Sequence, residues 1–506
     1  MNVPANRGVP PRLELRRSRR MAGLAVSVGV AMIAGVTIGP GVLPAVASSA
    51  TELYVTSGGS ASGPCSKTSP CNSVSRAVVV ANHQPFTDTP VIINVGKGHF
   101  VTHLNFPDMS YPEPMLTISG VSAAATVLSA NASGPVLFAL ADAPKVIVQD
   151  LTVTDQSVAL HDGGNFMDFI DVTFSNSSPG GALFDDGGSV QVTGSTFTGN
   201  SFRATTTGGG AVSQTGGTLV VKGSLFTGNT VNSTTTTGTG SGGAIYVSVG
   251  HLDISGSTIT SNSATGTAGG GAIGVDQTTS VTVTGSTINA NRATGPGGLV
   301  SVAGTGRIGF GGDILVANVG SNGSECSGGG YHDLGYNLID QSTCGMGTTS
   351  KVVTPTTAGL LPLAPNGGPT KTERIRKSSG AHDVVPITAQ MVGAAFCSQQ
   401  DQRGVPRRQG PATSCDAGAY QFAPPVIMSI SPVLGAPGTG VAIKGFGFVF
   451  LALRFGGAAP AFTVGNDVSI SFVTPRLPAG KATIKLSNPD GQASSSFNVV
   501  RKSTTG

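Results

Sequence analysis

The sequence predicts an all-β protein: a long solenoid of stacked strands followed by a small β-sandwich. Three observations carry this. The 506 residues include 75 Gly, no Trp and only 11% charged residues, and a chain dominated by Gly, Ser, Thr and Val favours strands and turns over helices. A segment that alternates polar and apolar residues recurs four times at nearly constant spacing. After Pro424 the composition shifts to short alternating runs separated by turns, the pattern of a sandwich. The absence of a Gly-X-Y period excludes collagen, and a hydrophobic fraction of 39% excludes a charged disordered chain.

Residues 1–47 read as a secretory leader. Arg16, Arg17, Arg19 and Arg20 precede an uncharged apolar run from Met21 to Ile38, and Ala45-Val46-Ala47 offers small residues for cleavage. The run is long enough to span a bilayer, so an uncleaved anchor is the alternative. Ser18-Arg19-Arg20 hints at the twin-arginine export route. The leader holds six Arg and one Glu, whereas the rest holds 23 basic and 24 acidic residues. The net charge of +4 therefore gives no support to a nucleic-acid partner. The C-terminal stretch, 501–506, carries no hydrophobic tail or sorting signal. The expectation is a monomer, secreted or held at the cell surface, with no membrane span once the leader is removed.

All six Cys lie beyond the leader: Cys65, Cys71, Cys326, Cys344, Cys397 and Cys415. An even count in an exported chain reads as disulfides, and the spacing favours Cys65–Cys71, Cys326–Cys344 and Cys397–Cys415. The rival, a metal site, lacks a CxxC or a nearby His pair.

The repeat comes next. SVQVTGSTF from Ser189, TLVVKGSLF from Thr218, HLDISGSTI from His251 and SVTVTGSTI from Ser280 align without gaps. Each alternates, bends at Gly-Ser and places an apolar residue two further on: Phe197, Phe226, Ile259 or Ile288. Three residues later stands Asn200, Asn229, Asn262 or Asn291, spaced by 29, 33 and 29 residues. Length variation is confined to the polar tract after each Asn, the mark of coils that stack in register with insertions on one side. Stacking makes the four apolar residues one internal column and the four Asn another, a structural ladder whose amides bond to the coils above and below. Weaker coils precede these, at KVIVQDLTV from Lys145 and MDFIDVTF from Met167, with Asp150 and Asp171 where Gly stands later. VIINV at Val91 and MLTIS at Met115 are earlier strands; DILVANV at Asp313 and YNLID at Tyr336 are the last.

This pattern, over about residues 50–345, resembles the right-handed parallel β-helix superfamily that includes the pectate lyases. YVTSGGSASGPCSKTSPCNSVSRAV at Tyr54 is similar to the N-terminus of many secreted β-helix proteins, where a strand and a short helix cover the first coil. GYNLIDQSTCG at Gly335, GGPTKTERI at Gly367, DQRGVPRRQG at Asp401 and CDAGAYQF at Cys415 resemble the choice-of-anchor Q group. That group usually carries Ser-Pro-Ala-Ile-Asp where this chain reads SSGAHDV from Ser378, which implies a different local turn. The β-helix region is thus 48–423. Residues 424–500 resemble the IPT/TIG immunoglobulin-like domain through Ser431-Pro432, Gly438-Thr439, Gly445-x-Gly-Phe448 and Phe455-Gly456-Gly457. In bacterial envelope proteins such domains are usually spacers or binding modules.

Charge is divided along the chain. Residues 48–370 hold 9 basic and 18 acidic residues, 371–423 hold 7 and 4, and 424–506 hold 7 and 2. A basic tail behind an acidic rod suits anionic envelope polymers or glycans as partners, although ordinary solvated surface gives the same totals.

Catalysis on this fold, as the resemblance implies, needs a carboxylate cluster and a base. Asp150 and Asp171 fall at equivalent places in adjacent coils, within about 5 Å, and stacked carboxylates share a cation, calcium, or a proton. Asp185 and Asp186 are a second pair, but neighbours on a strand face opposite sides. No basic residue falls in the register of Asp150 and Asp171, and Lys222 stands outward beside a bend. The seven His are scattered, and no nucleophile elbow or phosphate loop is present. The expectation is therefore a non-catalytic adhesive, scaffolding or glycan-binding protein without a cofactor. Its contact surface is the loops Ser201–Thr207, Thr230–Ser241, Ser263–Ala268 and Arg292–Pro296. A polysaccharide lyase or glycoside hydrolase acting at Asp150, Asp171, Asp185 and Asp186 is the alternative.

Overall fold

The computed structural model describes residues 50–501, apart from 83–88, 107–114, 131–133, 140–144, 156–157, 162–165, 205, 234–240, 267–268, 278 and 467. The leader assigned to 1–47 lies outside the described residues.

Alternation builds the wall of a solenoid. Val190, Val192, Leu219, Val221, Leu252, Ile254, Val281 and Val283 are buried, and the residues between them form the outer face. Parallel pairing holds them in columns: Val190 aligns with Leu219, Leu252, Val281 and Ile308 in successive coils. The 18-stranded sheet is two such ladders, fused where Leu183–Thr193 and Val212–Lys222 run through the corner as single strands. An 11-stranded sheet forms a second wall.

Ser201–Ala204, Thr230–Ser233, Ser263–Gly266 and Arg292–Ala293 form a short third wall. The tracts expected to be loops therefore open as strands. Val231 and Ala264 explain this, because both are fully buried and draw their segments against the core.

Inside, Phe174, Phe197 and Phe226 stack with centroids 4.5 Å apart and planes 11° and 2° from parallel. That separation is close to the strand spacing, so identical rings fall into van der Waals contact without adjustment. Ile259, Ile288 and Leu315 continue the column. At the N-terminal end Thr51–Ser60 pairs with Val91–Val95. The helix Val74–Asn82 buries Val74, Ala77 and Val78 over the first coil. The Cys65–Cys71 disulfide closes that corner, and Cys326–Cys344 ties the last coils.

After Lys351–Val352, the last strand of the second wall, the chain does not end the rod. Residues 360–423 run back along the flank of the coils as a strap. Its Ile375, Phe396 and Tyr420 pack on Ile314, Val316 and Leu338, forming a second core outside the solenoid. Cys397–Cys415 closes the strap on itself. Residues 426–499 form two four-stranded sheets around Phe448, Phe455, Phe472 and Phe497. Among the described residues no helix is long and apolar enough to cross a membrane.

Candidate functional site

One column governs the site. At the end of each long-ladder strand the chain bends through a left-handed residue: Asp150 (φ 58°), Asp171 (54°), Gly194 (60°), Gly223 (59°), Gly256 (51°), Gly285 (56°) and Gly312 (64°). Asp is one of the few side-chain-bearing residues that tolerates this region. From Gly194 onward the strap lies against the column. A Cβ on Gly312 would come within 2.7 Å of the Phe396 ring, and one on Gly285 within 2.4 Å of the Arg407 guanidinium. Gly285 and Gly312 are therefore needed for space as well as for φ, whereas a Cβ on Gly256 would stand 3.5 Å from Gln402 N, an ordinary contact.

The residue after the bend forms a polar ladder that sequence reading took only for turn chemistry. Ser195 N donates to Ser224 Oγ (3.2 Å), Ser224 N to Ser257 Oγ (3.1 Å), Ser257 N to Ser286 Oγ (3.1 Å) and Ser286 N to Asp313 Oδ1 (2.7 Å). Burial pushes the Asp313 carboxyl up to about 8. The Asn residues form the second ladder. Asn200 Nδ2 donates to Asn229 Oδ1, Asn229 to Asn262, Asn262 to Asn291 and Asn291 to Asn318, each at 2.9 Å. The ladder ends at Glu325, whose Oε1 accepts from Asn318 at 3.4 Å. Burial, with Asp340 sharing a hydrogen bond, raises the Glu325 carboxyl to about 10.

The strap is bolted to the coils by polar contacts. Glu373 accepts from Thr260 Oγ1 (2.9 Å) and Asn289 Nδ2 (3.0 Å). Gly418 N donates to Gly312 O (2.7 Å) and Arg407 Nη2 to Gly285 O (2.8 Å). Arg403 forms a two-point pair with Asp401 (Nε 2.9 Å, Nη2 2.8 Å) and lies 3.5 Å above the Tyr420 ring. The turn at Ser378, expected to differ, is built around Asp416. That buried carboxylate accepts from His382 Nδ1 (2.8 Å), Asp383 N (2.7 Å) and Phe422 N (2.6 Å). The hydrogen bond to Asp416 raises the His382 pKa. His382, Asp383 and Asp416 are close enough together to hold a cation, but the Asp416 oxygens already serve the turn.

Between strap and coils lies a cleft of about 1000 Å³. Its floor is the outer face of the long ladder, including Lys222, Asp253, Ser255, Thr282 and Thr284, and its wall is the strap from Ser398 to Gly404. Asp171 lies at the end where Gly194 begins the covered column. Partial burial first, and the charge of Asp150 second, raise the Asp171 pKa. Asp150 does not line the cleft.

Lys222 keeps to the expected register. Ile170 aligns with Thr193 and Thr193 with Lys222, so Lys222 stands one residue before the column of Asp171, Gly194 and Gly223, although Asp171 and Lys222 line the same cleft. Asp185 and Asp186 belong elsewhere, at the far end of the Leu183–Thr193 strand. Asp185 is fully buried, its Oδ1 accepts from Gly187 N and Gly188 N (3.3 and 3.0 Å), and burial pushes its carboxyl to about 6. Asp186 points outward to Thr215 Oγ1 at 2.7 Å. Asp162, another aspartate near Asp171 in sequence, lies outside the described residues. Asp253 was missed, although alternation alone puts it outward; it pairs with His251 at 3.0 Å.

A fold with parallel walls, stacked internal columns and polar ladders defines the class, and comparison agrees. The family model described as "Right handed beta helix region" matches residues 148–339. That for the "IPT/TIG domain" matches residues 425–500. The chain is a right-handed parallel β-helix followed by a TIG β-sandwich. Among solved structures, a rhamnogalacturonan lyase aligns at 11% identity with a TM-score of 0.27, covering 60% of this chain and 86% of the other. A pectin methylesterase mutant in complex with a hexasaccharide aligns at 11% and 0.28, covering 60% and 93%. No curated protein matches the chain.

Proposed function

We propose that the chain is a non-catalytic glycan-binding protein, acting outside the cell or at its surface, whose ligand lies in the cleft between strap and coils. One observation carries this. The cleft offers hydroxyls and water-exposed charges, while the strongly raised carboxyls, Asp185, Asp313 and Glu325, are buried in the protein with partners of their own. Ser255, Thr282, Thr284 and Asp253 suit sugar hydroxyls, whereas a catalytic acid or base is ordinarily one whose surroundings tune it toward the working pH. The likeness of the strap sequence to the choice-of-anchor Q group fits retention at a surface.

A second reading, a lyase or hydrolase acting on an acidic polysaccharide, rests on Asp171 and Lys222 sharing the cleft; calcium bound by Asp150 and Asp171 would then be its cofactor. The test is a panel of acidic and neutral polysaccharides offered to residues 48–506 with calcium, following binding, unsaturated products and new reducing ends. Binding without turnover, lost in Asp253→Ala/Thr282→Val, is the expected outcome. Turnover abolished by Asp171→Ala overturns it.

A further inference from the structure

A further recess, of about 490 Å³, lies where the strap meets the sandwich, and its lining includes Arg374, Arg376, Lys377, Phe422, Ser487 and Gln492. Asp490, the acid at its edge, is already committed. Its Oδ1 accepts from Tyr420 OH at 2.6 Å and its Oδ2 from Ala423 N at 2.9 Å, with Arg374 Nη1 at 4.0 Å. Arg374 also donates to Pro489 O. Arg376 and Lys377 are exposed.

The recess opens onto a sheet face of the same sign. Gly480–Asn488 pairs with Gly491–Val499 on one side and Ala452–Phe455 on the other. Ile484 and Leu486 are buried, so Lys481, Thr483, Lys485 and Ser487 point out. Ser487 sits opposite Gln492, both in the recess, and Lys485 sits opposite Arg454 on one side and Ser494 on the other. Two like charges directly opposite on a sheet repel. These three strands contain no Asp or Glu, and among the described residues Arg454, Lys481 and Lys485 have no ion pair to offset that repulsion. From Ser487 to Lys481 the stripe runs roughly 20 Å at the rise of an extended strand.

We infer that this stripe, Arg376 and Lys377 through Lys485 and Arg454 to Lys481, is a docking track for a linear polyanionic polysaccharide, one bearing carboxylates at intervals. Charge complementarity supplies the attraction. Specificity comes from what lies between the cations: Gln492, Ser494, Thr483, Ser496 and Asn498 offer hydroxyl and amide groups that match sugar hydroxyls. A single-stranded nucleic acid would call for aromatic faces on which bases stack, and among the residues lining the recess only Phe422 is aromatic. The track is separate from the cleft and does not depend on the reading given for it. It uses both strap and sandwich, so the junction fixed by Asp490 is part of the site.

The test uses the full chain and alginate as the polyuronate, with dextran as the neutral control and double-stranded DNA and inorganic polyphosphate as competitors. Alginate should bind and weaken as salt rises, and dextran should not be held by the track. Arg454→Thr/Lys481→Thr/Lys485→Thr keeps strand-forming residues and should weaken binding about tenfold or more through lost counter-ion release. Arg376→Ser/Lys377→Ser should weaken it less. Lys481→Arg/Lys485→Arg should retain it, and Lys351→Ser, which removes an exposed cation outside the track, should leave it unchanged. Wild-type affinity in the triple variant with an unaltered melting temperature overturns the proposal. So does displacement by DNA or polyphosphate at lower charge-equivalent concentration than alginate itself.

Discussion

The early coils, up to Ile170, and the later ones, from Gly194 to Gly312, share one backbone path but differ in what touches them. At the bend of the early coils the chain needs only a residue that tolerates positive φ, and Asp150 and Asp171 meet that need while leaving carboxylates in water. At the same bend farther on, the strap comes within contact distance and only Gly remains. The Asn ladder follows the same division, running from Asn200 to Asn318 and fading before it. A repeated fold is thus not uniform along its length: one position bears a carboxylate where it is bare and serves as a seat where it is covered.

The sharpest way to break this comparison is to cut the ladder in the covered half. Asn229 is fully buried, and its Oδ1 accepts from both Asn200 N and Asn200 Nδ2 while its own Nδ2 donates to Phe197 O. Asn229→Ala orphans groups on two coils and should cost about 3 kcal/mol or more, read from denaturant unfolding.

Next comes the bend itself. Gly312→Ala combines a left-handed φ with overlap on Phe396 and should cost about 2–4 kcal/mol. Asp171→Ala, at the equivalent bare position, should cost about 1 kcal/mol or less, since the overlap is absent. Equal losses would mean that the strap does not discriminate between the halves.

The last contrast is one of pH. The Glu325 carboxyl, raised to about 10, holds a proton in the folded chain that the unfolded chain has released above its ordinary value of 4.5. Stability from this group is therefore greatest below that ordinary value and falls as pH rises toward about 10, by at most about 1.4 kcal/mol per pH unit. Gln has an N–H that can replace the shared proton toward Asp340, so Glu325→Gln should flatten the decline in melting temperature between pH values of about 6 and about 9. An unchanged slope would move the alkaline sensitivity elsewhere, Asp313 being the next buried acid.

Much of the wall was legible because it is local. Spacing alone aligned Phe197 with Phe226 and Asn200 with Asn229, since each coil repeats its neighbour's pattern at a fixed interval. The order of the cysteines matched the three bonds formed. The strap was not legible, because its contacts join residues far apart with no period between them, such as Glu373 to Thr260 or Arg407 to Gly285. The cleft was half visible for the same reason: alternation exposes Lys222, Asp253 and Thr282, but nothing local reveals the wall from Ser398 to Gly404. The Ser ladder was hidden by a coincidence of chemistry, since Gly-Ser is also ordinary turn material.

A stack of coils that touch only their neighbours can be opened from either end like a zipper, one coil at a time. The strap changes the mechanics. It touches rungs from Gly223 to Gly312 at once, so tension on any one of them is shared across several. Pulled along its axis, the rod should behave as two materials in series: a front segment that yields progressively, and a rear segment that holds until the batten across it lets go and then fails in a single event.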